Sequence, residues 1–279
     1  MNEPGIEIIL PVYNAPGDVR RCLDALIDRL PTWATLQIVD DASTDTDIEA
    51  ILRRHPIVGL PRVRVLRNLR NLGFVRSVNA AMMRTSSDVV LLNSDTIVTR
   101  GWLDRMVACA RTDTTIASST PFSNNAEICS LPHFCRANPV PPDPDEFARA
   151  AVAAGPPVYP ALPTGVGFCL FIRRAAWDAV GPFDAITFGR GYGEENDWCF
   201  RASALGWRHV LCDDAYVVHV GGMSFASTSH RPGGGQLDKL LALHPHYNEV
   251  IADFIRRDPI APRRQAILSQ LHDADTDSA

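Results

Sequence analysis

Three acidic clusters in this sequence have residue types that could do chemistry: Asp40-Asp41, Asn93-Ser94-Asp95 and Glu194-Glu195-Asn196-Asp197. A fourth group, His219-Val220-Gly221-Gly222-Met223-Ser224, offers an imidazole. Asn93-Ser94-Asp95 is a variant of the D-x-D pattern. Magnesium and manganese favour oxygen ligands and need few protein carboxylates, so one aspartate can anchor either. Such an ion, bridging the phosphates of a nucleotide diphosphate, stabilises the diphosphate as a leaving group. N-S-D-T is equally good turn chemistry, and the tripeptide alone supports both readings. Imidazole is an acceptable manganese ligand, so His219 can pair with Asp95, although a lone histidine near a strand is more often structural.

The cluster at 194–197 suits a general base that takes a proton from an attacking hydroxyl. Acids at a helix N-terminus explain one or two of its members. Crowding of like charges raises the pKa of one of them. The preceding Gly189-Arg190-Gly191-Tyr192-Gly193 suits a mobile loop that orders over ligand. At Asp40-Asp41, one carboxylate could accept the ring N–H of a pyrimidine and leave the other for the ribose. Capping explains part of the run through Ser43, Thr44 and Asp45. Asn71-Leu72-Gly73-Phe74 reads as a turn with Gly73 at positive φ. It also reads as a helix start that brings backbone N–H groups and Arg76 to phosphates.

The elements that must position these residues are legible as hydrophobic runs. Ile6 to Val12, Leu36 to Val39, Arg62 to Leu66 and Val89 to Leu92 read as strands, and Pro16 to Leu30, Phe74 to Thr85 and Gly101 to Ala110 as helices. This alternation implies a mainly parallel sheet covered on both faces, with ligands at the carboxyl ends of its strands. Asp40-Asp41 and Asn93-Ser94-Asp95 directly follow strands of this set, and Pro11-Val12-Tyr13-Asn14 stands at the end of the first. Nine prolines from Pro132 to Pro163 exclude a core strand there, and the stretch reads as a surface excursion or flap around a short helix at Glu146 to Ala154. Beyond it, Phe168 to Ile172 reads as a strand, Arg173 to Val180 as a helix, and Tyr192 to Ala204 as loop then helix. Two short strands follow, Val210 to Cys212 and Tyr216 to His219, then helix from Gln236 to Arg257 with a break near Pro245. The polar tail from Ser269 is expected to fray.

Composition narrows the classes. The chain has 279 residues, 46% of them hydrophobic, and a net charge of -5. Arginine pairs such as Arg53-Arg54 and Arg256-Arg257 are short, and no basic stripe points to nucleic acid. Seven cysteines without a C-x-x-C pair argue against a disulfide framework or structural zinc. No run of about 18 apolar residues would span a bilayer. Met1 to Gly5 has no charged region leading into an apolar core, so the cytoplasm is the default location.

In this order the motifs resemble those of the family 2 glycosyltransferases with the GT-A fold, of the bacterial polysaccharide, rhamnosyltransferase-like type. They are Pro-Val-Tyr-Asn at 11–14, Val-Asp-Asp-Ala-Ser-Thr at 39–44, Asn-Leu-Gly-Phe at 71–74, Leu-Leu-Asn-Ser-Asp-Thr at 91–96, Gly-Glu-Glu-Asn-Asp-Trp-Cys-Phe-Arg-Ala at 193–202 and Val-His-Val-Gly-Gly-Met-Ser at 218–224. Each is weak alone; together they cover roughly residues 6 to 225. The resemblance implies a single domain over 1–268. It divides into a nucleotide-sugar half at 6–125, the proline-rich excursion at 126–163, an acceptor half at 164–225 and C-terminal helices at 236–257, with a polar tail at 269–279. It implies inverting transfer from a UDP- or dTDP-sugar to a glycan or lipid-linked glycan in polysaccharide biosynthesis. Peripheral attachment at the inner face of a membrane is compatible with this.

By the same resemblance Pro11, Tyr13 and Asn14 line the nucleotide site with Gly73, Arg76, Asn93 and Ser94, and Asp41 contacts the base. Asp95 and His219 hold Mn2+ or Mg2+, and Glu195 is the catalytic base. Two positions depart from the pattern: Asn93 replaces the first acid of D-x-D, and Glu195 stands where many members have Asp. Asp197 stays a rival for the base. Two other classes compete. A nucleotidyltransferase would carry a basic phosphate loop near the N-terminus, whereas Leu10 to Gly17 has no Lys or Arg. A non-catalytic glycan-binding or scaffold domain would neither hydrolyse nor transfer a nucleotide sugar.

Overall fold

The computed structural model describes residues 5–189, 191–221 and 235–277. Arg190 and the Gly222-Met223-Ser224 part of the last motif lie outside the described residues. The first half of the chain lays down β1 (Ile6–Val12), α1 (Pro16–Ile27), β2 (Ala34–Asp40), α2 (Thr46–Arg54), β3 (Val63–Arg67), α3 (Phe74–Met82), β4 (Asp88–Leu92), β5 (Thr96–Val98) and α4 (Trp102–Arg111). The second half adds β6 (Ile116–Phe122), α5 (Pro144–Ala153), β7 (Ala161–Leu162), β8 (Cys169–Ile172), α6 (Arg174–Val180), α7 (Glu194–Ala204), β9 (Arg208–His219), α8 (Gly235–Leu243), α9 (Tyr247–Arg257) and α10 (Ala261–Asp277).

The strands join in the order β3-β2-β1-β4-β8-β6-β9-β5, with β7 on β9. β1 to β4 pair in parallel, as the βα alternation predicts. After β4 the sheet becomes mixed: β8 is antiparallel to both β4 and β6, while β9 is parallel to β6. Period-two alternation divides the core. Ile8, Leu10, Val90 and Leu92 face α1 and α4, whereas Ile9, Val89 and Leu91 face α3, α6 and α7. Local signals start the helices. Ala15 enters α1 in the left-handed region with Pro16 in its first turn, and Asp45 caps α2 through the Asp47 N–H at 2.9 Å. The sequence reading names the cap at Asp45 but not the helix it starts.

Three expectations change. The proline-rich stretch is fastened to the body. Asp143 caps α5, Pro144 occupies its first turn, and Ala148 and Ala151 are buried beneath it. Asp213, fully buried on β9, accepts from Val158 N at 3.2 Å and Tyr159 N at 3.0 Å. Proline is disfavoured in central strands but accepted at helix starts and in irregular segments: Pro144 opens α5, and the other eight lie outside helices and strands. The two short strands at 210–219 are one, β9, with a pairing irregularity opposite Pro121 and Phe122. The tail from Ser269 is helical to Asp277, because Ile260, Ile267 and Leu271 recur at helical spacing and pack into the core.

Arg263 of α10 lies 2.8 Å from the Asp213 carboxylate and donates to the carbonyls of Ala151 and Ala154. Arg263→Ala leaves Asp213 as a buried charge without its cation. The substitution is expected to cost about 3–5 kcal/mol in a denaturant titration. A loss under about 1 kcal/mol would mean that water reaches Asp213.

Candidate functional site

The carboxyl ends of β1, β2 and β4 carry the predicted nucleotide residues. The β1–β4 ladder stops at Ile9↔Leu91, two residues before Pro11, so the strands part there. Asn14, at φ 55°, sews this end to the next: its Oδ1 accepts from Thr44 N at 2.9 Å and Asp45 N at 3.1 Å. Tyr13 and Pro11 are half-buried beside it. Asp40 turns inward, receiving Ser43 N at 2.8 Å and the Arg67 guanidinium at 2.9 Å.

Asp41 is organised differently from the sequence expectation. Its Oδ1 accepts from Asn68 Nδ2 and Leu72 N and its Oδ2 from Gly73 N, all at 2.8 Å. The carboxylate therefore builds the turn that opens α3, with Gly73 at φ 81° as the turn reading requires. It also lies at the positive end of the α3 dipole. Asn68, which sequence reasoning missed, completes this network by donating to Ser77 Oγ at 2.9 Å. Arg76 is exposed on the first turn of α3.

The β4–β5 turn holds the candidate metal residues. Thr96 Oγ1 donates to Asn93 O at 2.7 Å, and Asn93 N donates to Phe168 O at 2.8 Å. Ser94 and Asp95 are buried. β5 pairs antiparallel with β9 in the register Thr96↔His219, and Val220 N donates to Asp95 O at 2.9 Å. The ladder thus brings Asp95 Oδ2 to 3.4 Å from His219 Nε2. His219 Nδ1 lies 2.7 Å from Asn125 O, and Phe168 stacks on the ring at 5.3 Å. Burial opposes charge on this imidazole, but the bond and charge of Asp95 and the Asn125 carbonyl outweigh it, so its pKa is raised.

The donor set fits a hard divalent cation. Neighbouring ligands around an octahedral ion stand about 3 Å apart. The carbonyl on Nδ1 fixes the tautomer that leaves Nε2 facing Asp95, as metal-binding histidines require. Among the described residues no group of three or more His, Cys, Asp and Glu converges on one point. Remaining positions on such an ion would fall to ligand and water oxygens.

The acidic helix lies alongside. Gly193, at φ 99°, precedes Glu194, and Glu195, Asn196 and Asp197 follow in the first turns of α7. Glu195 is partly covered but surrounded by protein, and its carboxyl packs where a side chain at Gly167 would stand 3.6 Å from Cδ. Burial pushes its pKa up to about 7; backbone bonds from Gly193 and Asn196 oppose the shift, and the charge of Glu127 adds to it. Glu194 is held well above the carboxylate range by burial and by Glu195, and its Oε2 has no partner. A side chain built at Gly167 would stand 3.6 Å from the Glu195 carboxyl carbon, and the next residue, Phe168, stacks on His219, so the turn at 167–168 lies beside both the carboxylate and the imidazole.

Asp197 has two basic partners. It is 2% exposed and lies 2.9 Å from both Arg201 Nε and His244 Nε2, tying α7 to the residue that follows α8. The rival base is thus occupied by two basic partners. Tyr247 of α9 and Thr164 both donate to Asn196 Oδ1, at 3.3 and 3.0 Å. Gln236 Nε2 donates to the carbonyls of Phe188 and Gly191, at 3.2 Å each, which links α8 to residues on either side of Arg190. His244, Tyr247 and Gln236 carried no motif signal, because their partners are distant in sequence.

Comparison with known proteins gives a consistent set. Residues 7–178 match the family model described as Glycosyl transferase family 2. An uncharacterised protein of Mycobacterium tuberculosis is 39% identical over 64 residues, 23% of this chain and 24% of that protein. The chain therefore spans about a quarter of the length of such relatives. The N-acetylglucosaminyl-diphospho-decaprenol L-rhamnosyltransferase of the same organism is 24% identical over 281 residues, covering 89% of this chain and 84% of that one. Among solved structures, GalNAc-T7 with UDP, GalNAc and Mn2+ shares the fold at a TM-score of 0.65. Its identity is 15%, over 88% of this chain and 49% of that chain.

Asp197→Ala is expected to lower stability by about 3 kcal/mol, because Arg201 and His244 lose their common buried partner. A urea titration measures it. An unchanged midpoint would mean that Asp197 is free for other work.

Proposed function

The chain belongs to glycosyl transferase family 2, and we propose that it is an inverting transferase that moves a sugar from a UDP- or dTDP-linked donor to a hydroxyl of a glycan or lipid-linked glycan in polysaccharide biosynthesis. The observation that carries this reading is the Gly167–Phe168 turn, which lies beside both a carboxylate of raised pKa and the imidazole of an Asp–His pair suited to a divalent ion. The mycobacterial rhamnosyltransferase, by its name, acts on a decaprenol-linked acceptor, which supports a lipid-linked glycan here. No helix of the described residues is long and apolar enough to cross a membrane.

Glu195 accepts the proton of the acceptor hydroxyl as that oxygen attacks the anomeric carbon and the bond from that carbon to the donor phosphate breaks. A base with a pKa near 7 holds the proton well enough to drive the attack and is still substantially ionised at neutral pH. Asp95 and His219 would hold Mn2+ or Mg2+, and such an ion would supply positive charge for the departing diphosphate. Asp41 acts on the nucleotide through the α3 turn it folds, which sets Arg76 toward the phosphates. The neutral Asn93 costs one carboxylate relative to D-x-D, and the imidazole of His219 would supply a second ligand in its place.

Glu195→Gln should keep donor affinity and lose transfer by about 10²–10⁴-fold. For the native protein kcat/KM should fall about tenfold per pH unit below about 7. Glu195 stands above its ordinary value of 4.5. Between 4.5 and about 7 the native state therefore keeps a proton the unfolded chain has lost, and stability falls as pH rises through that window. Glu195→Gln should then raise the melting temperature by a few degrees at about pH 8 and leave it near the native value at about pH 4. Full transfer by the glutamine variant would remove Glu195 from the chemistry.

Asp95→Ala should abolish Mn2+-dependent strengthening of UDP binding in a titration. Equal UDP affinities of the native and variant proteins in Mn2+ would sink the metal assignment.

A further inference from the structure

Beneath the candidate metal pair lies a buried amide couple. Asn124, 2% exposed at the end of β6, grips the backbone of His219 from the side away from β5. Its Oδ1 accepts from His219 N at 2.9 Å, and its Nδ2 donates to His219 O at 3.1 Å. A single side chain thus supplies what a neighbouring strand would give, at the last residue of β9. The following residue, Asn125, carries the carbonyl that orients the His219 ring.

Asn124 is in turn set by Asn138, 6% exposed and inside the proline-rich stretch. Asn124 Nδ2 donates to Asn138 O at 3.0 Å, while Asn138 N and Nδ2 donate to Asn124 O at 2.9 and 3.0 Å. Asn138 Nδ2 also meets the carbonyls of His133 and Arg136, at 3.0 Å each, and its Oδ1 accepts from His133 N at 3.1 Å. Ser123 N donates to Cys129 O and Leu131 N to Ser123 O, which closes the loop between the two asparagines.

We propose that Asn124 and Asn138 are positioning residues for divalent-cation binding, holding His219 in the place and orientation in which its Nε2 meets Asp95. The proposal rests on the metal reading above. Two amides with both ends bonded have no second low-energy orientation, so the His219 backbone is fixed on both sides before any ion arrives. Groups that orient metal ligands affect affinity by about 10–100-fold when removed. The proline-rich segment, remote in sequence from both ligands, therefore sets cation affinity.

The test is Mn2+ uptake with saturating UDP, read by the loss of the free-ion electron paramagnetic resonance signal. UDP affinity without metal and thermal stability are measured beside it. Asn138→Ala and the isosteric Asn138→Asp should each weaken Mn2+ binding about 10–100-fold and leave metal-free UDP affinity within about twofold. The negative charge that Asn138→Asp adds favours a cation, so a loss in that variant reflects geometry rather than electrostatics. Arg263→Ala, which loosens the other end of the same segment, should keep native Mn2+ affinity.

Native affinity in a folded Asn138 variant overturns the proposal. An equal loss in Arg263→Ala overturns it too, since general softening would then explain the effect. If the native protein takes up no Mn2+ with UDP, the metal reading falls and this inference falls with it.

Discussion

Thr96 pairs with His219 across the β5–β9 ladder, and the candidate site depends on that register. β5 is three residues long and β9 twelve, so a short strand is read against a long one. A slip of one residue would turn His219 to the other face of the sheet and separate it from Asp95. Several neighbours share the work of preventing this. Val220 N is bound to Asp95 O, Asn124 brackets the His219 backbone, and Phe168 covers its ring. An acid and an imidazole from opposite halves of the sequence meet because backbone pairing, and not their own attraction, brings them together.

Around that fixed pair the protein uses burial to tune charge. Glu194 and Glu195 sit side by side at a helix start, where the dipole favours carboxylates, yet both are shifted upward because protein replaces water around them. Asp197, two residues on, has the same type of charge and the same helix but two basic partners. One turn of α7 therefore contains carboxylates in contrasting electrostatic settings. His244, which follows α8, and Tyr247 of α9 maintain the difference by packing on that turn.

The parallel half of the sheet was legible because its strands are continuous apolar runs followed by polar turns, as at Leu36 to Val39 and Val89 to Leu92. Polar residues after those strands were found for the same reason. β6 escaped notice: Ile116-Ala117-Ser118-Ser119-Thr120-Pro121-Phe122 is fully buried yet rich in hydroxyls and a proline. Ser118 bonds His209 at 2.7 Å, a partner 91 positions away that no local pattern reveals. The proline-rich stretch misled because proline density reports backbone limits, not attachment. Its anchors, Asp213, Arg263 and Asn138, are long-range contacts. Asp41 stands out in the sequence as one of two acids after a buried strand, but its partners Asn68, Leu72 and Gly73 emerge only when β2 and the α3 turn are brought together.

Gly167 has no side chain, and a methyl group there would meet Glu195 Cδ at 3.6 Å, an ordinary contact with no steric penalty. The position is outside the left-handed region, so the backbone tolerates substitution as well. Position 167 is therefore open to a small side chain beside the Glu195 carboxyl. A methyl group there would place hydrocarbon beside the carboxyl while leaving Glu195 and the Asp95–His219 pair as they are. The surroundings of that carboxyl can thus change without a change in the carboxyl itself.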